Sequence, residues 1–344
     1  MSQISLAILD VVSILAGLVV SFGLTGRFTD PRSRLHLIDQ PNHRSLHEQP
    51  TPRSGGIAIL AGLVVASAVG ATAWQLPIEF AWVAAGGLGL AAVSFLDDLR
   101  GVRPLYRLLV HFAAAALLPI AGYGVQRMVL PGIELSLPAG LGVTLSLLFT
   151  VWMVNLYNFM DGMDGFAGGM AVFGFGAYGI LGYLAGEPAF GWAALAVVAA
   201  AMGFLVFNFP PARIFMGDVG SAVLGYLAAV FALWADRQGI APLWVSVLVF
   251  SPFVVDATVT LFRRALRGEP LWEAHRSHYY QRLVRSGWGH RRTVIWEYGV
   301  MAMCAAAGVV AVRMSVPGQW TVLGGATTVL IAAMVWVDRR APFS

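Results

Sequence analysis

Five carboxylates, Asp97, Asp98, Asp161, Asp164 and Asp218, stand in short polar clusters that interrupt an otherwise apolar chain. A charged group in or near hydrocarbon costs about 2.5–3.5 kcal/mol on insertion scales, so its retention points to a use. Crowded together the acids would repel one another and raise each other's pKa, and a divalent cation relieves that repulsion. Carboxylate and amide oxygens, without a cysteine or histidine ligand cluster, favour Mg²⁺ or Mn²⁺ over zinc. Mg²⁺ usually keeps open positions for substrate phosphates and there stabilises charge developing on phosphoryl oxygens.

The surrounding residues fit phosphate chemistry. The run from Asn155 through Asn158, Asp161, Gly162, Asp164 and Gly165 puts amides and acids beside glycines that permit tight turns. Asn208, Arg213, Phe215, Gly217, Asp218, Gly220 and Ser221 form a second such run. Asp218 either caps its helix or holds a metal, and Phe215 is an interfacial aromatic or a platform for a base. His275, Arg276, His278 and Arg282 form a third. Histidines three apart without further ligands are a weak zinc signal, and the flanking arginines favour binding of phosphate. Asp97-Asp98 closes an apolar run, where acids oppose the helix dipole. A first polar stretch holds Asp39, Asn42, His43, Arg44, His47 and Arg53 before Gly55-Gly56.

The elements that position these clusters are membrane helices. The chain of 344 residues is 58% hydrophobic and 12% charged, with mean hydropathy +0.73, more apolar surface than a soluble domain can hide. Eleven apolar segments are long enough to span, near 4–26, 56–74, 80–96, 104–124, 139–159, 166–185, 189–207, 219–236, 240–262, 293–313 and 319–337. The first reads as a span and not a cleavable signal, because it carries Asp10 and its positive charge follows it at Arg27. The expected fold is therefore an all-α polytopic membrane protein, one integral-membrane domain over 1–344. A small hairpin is expected in 125–138.

All 22 basic residues are arginine, and 19 fall in segments 27–55, 97–107, 208–218, 263–292 and 338–344. The positive-inside bias then puts the N-terminus outside and the C-terminus in the cytoplasm. Loops 27–55, 97–107, 155–166, 208–221 and 263–292 share the cytoplasmic side, so every polar cluster meets there. Arg263, Arg264 and Arg267 fit the same bias and attraction to anionic lipid. Asp256 and His111 lie deeper, expected to pair with each other or with an arginine. Cys304 is the single cysteine and excludes an intramolecular disulfide. Nucleic-acid binding is not indicated, since the arginines flank spans. A proton-coupled transporter is the reading from another class, but such proteins place their acids near the midplane within repeats, and no repeat is seen here.

The order of the five clusters, across about residues 35 to 295, resembles the polyprenyl-phosphate N-acetylhexosamine-1-phosphate transferases. That family includes enzymes that initiate O-antigen and enterobacterial common antigen, the teichoic-acid linkage enzyme and the transferase of the first peptidoglycan lipid intermediate. The resemblance implies ten or eleven spans around a cytoplasm-facing cleft in a bacterial inner membrane. It implies transfer of a sugar phosphate from a UDP-N-acetylhexosamine to polyprenyl (undecaprenyl) phosphate with release of UMP, and a homodimer is compatible with it. By position it makes Asp97 and Asp98 catalytic, Asp218 and Asn158 contacts of Mg²⁺, Asp164 a partner of uracil, Phe215 a platform for the base and Asn208 a nucleotide contact. Asp161 belongs to the same substrate-binding motif. His275–His278 matches the family's histidine motif, whose form here looks closer to the O-antigen-initiating branch, including enzymes for 6-deoxy sugars, than to the histidine-rich peptidoglycan form. Where relatives use lysine near the nucleotide, Arg44, Arg53 or Arg213 must serve.

Overall fold

Long apolar runs leave the backbone no solvent partner in a bilayer, so each run must close its own hydrogen bonds as a helix. In a computed structural model, residues 3–41, 45–71, 74, 78–270 and 275–343 are described. The helices are α1 Gln3–Thr29, α2 Gly55–Gly70, α3 Glu79–Arg100, α4 Pro104–Ile120, α5 Ala139–Phe159, α6 Phe166–Ala185, α7 Pro188–Asn208, α8 Gly217–Arg237, α9 Leu243–Val249, α10 Ser251–Leu266, α11 Tyr279–Leu283, α12 Gly289–Ala311 and α13 Val316–Arg340. The protein is an all-α polytopic membrane protein. Among the described residues eight helices are long and apolar enough to cross a membrane, α9 and α10 form a ninth segment, and α2 and α4 are shorter apolar helices.

Local chemistry fixes many of the ends. Prolines open α4, α7, α10 and α13, where a missing N–H is no loss. Glycines with positive φ close α3 and α6, at Gly101 and Gly186. The ninth segment departs from the straight span expected over 240–262, because α9 and α10 meet at an angle of 83°. Pro252 in the first turn of α10 supplies no N–H to continue α9's ladder. The hairpin in 125–138 is present as two antiparallel strands, β3 Arg127–Leu130 and β4 Ile133–Ser136.

Helix α8 is the axis of the bundle. Within its apolar window 89% of residues are buried, against 17% in α1 and α13, so α8 carries the core and the outer two face lipid. Helices α2, α3 and α5 pack around α8, and α6 packs on α7 and α12. The α2–α8 crossing depends on Gly56 and Gly220: a Cβ on either would run into the other's backbone. That closeness lets the Gly55 and Gly56 N–H groups donate to the Phe215 and Met216 carbonyls at 3.0 and 2.7 Å, and Phe215 N–H donate to the Pro52 carbonyl at 2.7 Å. The first and fourth polar clusters are thereby laced together. A two-residue ladder, β1 Ile38–Asp39 against β2 Thr51–Pro52, folds the first cluster back on itself.

Candidate active site

The ends of α3, α5 and α7 and the starts of α2 and α8 meet at one end of the bundle around a cleft of about 280 Å³. Its lining includes Asp98, Asp161, Asp164 and Asp218, with Arg53, His47, Phe215, Asn208, Gln281 and His290. Acids from three distant parts of the chain thus share one cavity.

Asp97 and Asp98 are neighbours on a helix and so point different ways. Asp97 accepts the Val102 N–H at 2.6 Å and pairs with Arg107 at 2.5 Å. Asp98, 8% exposed, faces the cleft, with Arg53 Nε 3.6 Å from its carboxylate and Arg53 Nη2 donating to its carbonyl at 2.6 Å. Gly217 sits against it: φ is +74°, and a Cβ there would stand 3.1 Å from Asp98 Oδ2. Only glycine gives both that backbone and that clearance.

Asp218 lies in the first turn of α8, where an acid is favoured by the helix dipole. Asn158 Nδ2 donates to Asp218 Oδ1 at 2.9 Å and to Ser221 Oγ at 3.0 Å. This leaves the Asn158 side-chain oxygen, Oδ1, without a hydrogen bond among the described residues. Arg107 Nη1 reaches Asp218 Oδ2 at 3.3 Å as well as Asp97. Burial first, then the charges of Asp218 and Asp98, push the Asp161 carboxyl well above the ordinary carboxylate range. Among the described residues no hydrogen bond reaches that carboxylate. The cleft is short of positive charge at this point.

Phe215 meets His47 edge-on, ring centroids 4.8 Å apart, which gives one cleft wall an aromatic face. Asp39 joins His47 at 3.5 Å to Arg53 at 3.7 Å. Asp164 accepts the Ala212 N–H at 3.0 Å on one oxygen and lies 2.9 Å from His290 Nδ1 on the other.

Several expected site residues are employed otherwise. Asn208 borders the cleft but spends its amide on backbone, accepting from Gly165 N–H and donating to Ile214 carbonyl, both at 2.9 Å. It holds the α5–α6 and α7–α8 loops together. Arg213 is exposed, with its guanidinium 4.6 Å over the Phe207 ring and off the cleft lining. Arg282 is buried and donates to Asp338 at 2.7 Å and to the Ala341 carbonyl at 2.9 Å, docking the chain after α13. Asp338 also takes both Nη of Arg263, at 2.9 and 2.7 Å, so that arginine is matched within the protein. Arg276 is exposed and not part of the cleft lining. Arg44 lies outside the described residues.

His278 is buried and bonded to Asp256 at 3.1 Å. Among the described residues Asp256 pairs neither with His111 nor with an arginine: it accepts the N–H groups of Tyr279 and Tyr280 at 3.0 and 3.1 Å and anchors the start of α11. His111 instead meets Asn155 Nδ2 at 3.3 Å. The His275 and His278 rings are 4.8 Å apart, and burial followed by His278 and Arg264 pushes His275 down to about 4. His275 is therefore a neutral hydrogen-bonding group at pH 7.

Arg107, His290 and Gln281 were not singled out from the sequence. Arg107 entered there only as one of the arginines that orient the chain, although its place one short loop after Asp97 is a signal in the sequence.

Known proteins match this chain across most of its length. The profile of glycosyl transferase family 4 matches residues 80–236, from the start of α3 to the end of α8. A probable undecaprenyl-phosphate N-acetylglucosaminyl 1-phosphate transferase of Bacillus subtilis is 28% identical over 268 residues, 77% of this chain and 74% of that protein. The undecaprenyl-phosphate α-N-acetylglucosaminyl 1-phosphate transferase of Yersinia pestis is 29% identical over 84% of this chain and 81% of its own length. A decaprenyl-phosphate N-acetylglucosaminephosphotransferase of Mycolicibacterium smegmatis is 29% identical over 95% of this chain and 88% of its own. Helices α3 to α8 lie within the profile match, and the chain is similar over most of its length to polyprenyl-phosphate N-acetylglucosamine-1-phosphate transferases.

Proposed function

We propose that the protein transfers an N-acetylhexosamine-1-phosphate, with N-acetylglucosamine-1-phosphate the first candidate, from its UDP-sugar to a polyprenyl phosphate at the cytoplasmic face of a bacterial inner membrane. The observation that carries this reading is the single cleft holding Asp98, Asp161, Asp164 and Asp218 beside the Phe215–His47 aromatic wall. A diphosphate needs positive charge and a base needs an aromatic face. Phe215 offers the aromatic face, and a cation held by the acids would bring the positive charge, within one cavity at a bundle end where a soluble donor and a lipid acceptor can meet. The arginine bias supports placing that end, and the C-terminus, in the cytoplasm. The product would initiate O-antigen or another surface polysaccharide.

The donor set suits Mg²⁺. Among the described residues no three acidic, histidine or cysteine side chains form a metal cage. Mg²⁺ does not require one, since it is commonly held by one or two carboxylates together with waters and substrate phosphates. Asp218 and Asn158 Oδ1 would hold it, with the uncompensated Asp161 close by. When bound, the ion would neutralise charge on the donor diphosphate.

The residues divide the remaining work. The acceptor phosphate oxygen attacks the β-phosphorus of the UDP-sugar, the bond from that phosphorus to the UMP oxygen breaks, and UMP leaves. Asp98 faces the cavity, whereas Asp97 is saturated by Val102 and Arg107, so Asp98 is the acid that orients the attacking phosphate and takes a proton from it when it carries one. Arg53 and Arg107 bring positive charge to the acids' side of the cleft. Phe215 packs on uracil.

Purified protein with labelled UDP-N-acetylglucosamine, polyprenyl phosphate and Mg²⁺ should yield labelled lipid and UMP, and Asp218→Ala should remove turnover. If no member of a panel of UDP-N-acetylhexosamines gives labelled lipid, the reading is overturned.

A further inference from the structure

His290, at the start of α12, bridges the first loop and the α5–α6 loop. Its Nδ1 lies 2.9 Å from an Asp164 carboxylate oxygen, and its Nε2 lies 3.3 Å from the Leu46 carbonyl oxygen. Both partners are acceptors, so a proton is required at each ring nitrogen. A neutral imidazole has only one. The Asp164 N–H also approaches Nδ1, at 3.4 Å, but the carboxylate is nearer and requires the proton to be on the ring. The geometry is that of an imidazolium.

Leu46 precedes His47, the residue whose ring packs against Phe215 in the cleft wall. The Asp164 oxygen not used by His290 accepts from Ala212, in the loop that carries Phe215. One side chain therefore ties the first loop, the α5–α6 loop and, through Asp164, the α7–α8 loop around the aromatic end of the cavity. His290 itself lines the cavity. The charged groups facing the cavity with it are Asp164 and Asp161 from the α5–α6 loop, Asp39, His47 and Arg53 from the first loop, Asp98 from α3 and Asp218 from α8.

We propose that His290 is a positioning residue: as an imidazolium it clasps the Leu46–His47 segment onto the Phe215 wall and so sets affinity for the uridine end of the sugar nucleotide. It touches none of the reacting atoms. The first loop is also held by its two-residue ladder, by Arg53, by the His47–Asp39 pair and by the Phe215 N–H on Pro52, and His290 adds the contact at Leu46, next to His47. Loss of the clasp weakens nucleotide binding and leaves the transfer step alone.

This inference rests on the proposed function, and binding is read separately from turnover so that the two fail differently. Binding of UDP to detergent-purified wild type in Mg²⁺ is measured by calorimetry, and KM and kcat for both substrates in the transfer assay. His290→Gln, which retains one donor, should weaken UDP binding and raise the sugar-nucleotide KM by about tenfold, the effect of one charge-assisted hydrogen bond. The KM for polyprenyl phosphate and kcat should change less than about twofold. Wild-type UDP affinity should fall as pH rises through the range where the His290 imidazolium, which burial disfavours but Asp164 holds above the ordinary histidine value, loses its proton, and should fall more steeply than that of His290→Gln. His290→Arg keeps the charge and two donors and should hold wild-type affinity at the upper end of that range. If wild type binds no UDP, the functional reading fails. If wild type binds it with an affinity independent of pH, or His290→Gln loses kcat with KM unchanged, His290 is not the clasp. If the glutamine variant does not fold, the comparison of wild type with His290→Arg over the same pH series decides the matter, because Asp98 and Asp161 titrate alike in both.

Discussion

The Arg107 guanidinium bridges Asp97 and Asp218, 2.5 Å from one carboxylate and 3.3 Å from the other. It thereby links the acid pair at the end of α3 to the acid that opens α8. Two carboxylates drawn this close need a cation between them, and one guanidinium nitrogen, Nη1, reaches both. Arg107→Ala should lower kcat by about 100-fold, the scale on which removal of one preorganised donor acts on a charged transition state. Arg107→Lys keeps the charge on a shorter side chain, whose ammonium must reach both carboxylates, and should recover only part of it. Steady-state rates of labelled-lipid formation check both.

Asp161 should link pH to the proposed dependence on Mg²⁺. Its folded-state pKa is raised, by burial and by Asp218 and Asp98. A raised carboxyl contributes stability that is full below the ordinary carboxylate range and is lost as pH climbs toward the folded pKa. Chelator-treated protein should therefore lose thermal stability as pH rises above that range. Mg²⁺ should restore more of it at higher pH, because the bound ion favours the ionised form. Asp161→Asn should flatten the chelator profile and shrink the gain from Mg²⁺. Thermal unfolding in detergent across pH, with and without the ion, reads both effects.

Phe215 lines the cleft, with the His47 ring tilted 62° to it at 4.8 Å. Stacking a base on an aromatic side chain contributes about 1–3 kcal/mol by alanine substitution. Phe215→Ala should raise the sugar-nucleotide KM about tenfold or more, and Phe215→Tyr should keep it near wild type. A loss confined to the KM of the lipid would contradict this placement.

Arg282 and Asp338 form a buried-side pair that docks α13 on the start of α11. Arg282→Ala and Asp338→Ala should each lower the unfolding temperature, and the double variant should lose less than the sum, with coupling on the order of 1–2 kcal/mol. The KM for polyprenyl phosphate should not respond to Arg282→Ala in folded protein. A rise of tenfold there would return Arg282 to the phosphate-binding group in which its sequence neighbours place it.

The sequence by itself determined the solvent of this protein and the order of its parts. Apolar run length specifies where helices form, because in hydrocarbon a backbone has no other partner, and this signal is local. The five polar clusters were legible for the same reason: charges that interrupt apolar runs are conspicuous and few. The family resemblance lay in the order of those clusters, again a property of the linear chain. Asp98, Asp161, Asp164, Asp218 and Phe215 were thus all visible before any fold was known. What the linear chain does not contain is the rotation of each helix about its axis and the partner it meets across the bundle. That rotation turns Asp98 into the cleft and Asp97 onto Arg107, although the two are adjacent. It gives Asp256 to His278 and His111 to Asn155. It commits the Asn208 amide to two loops and Arg282 to Asp338, residues whose types alone fit nucleotide and phosphate equally well. His290 joins loops far apart in the chain, and only their approach in space gives its two nitrogens something to hold.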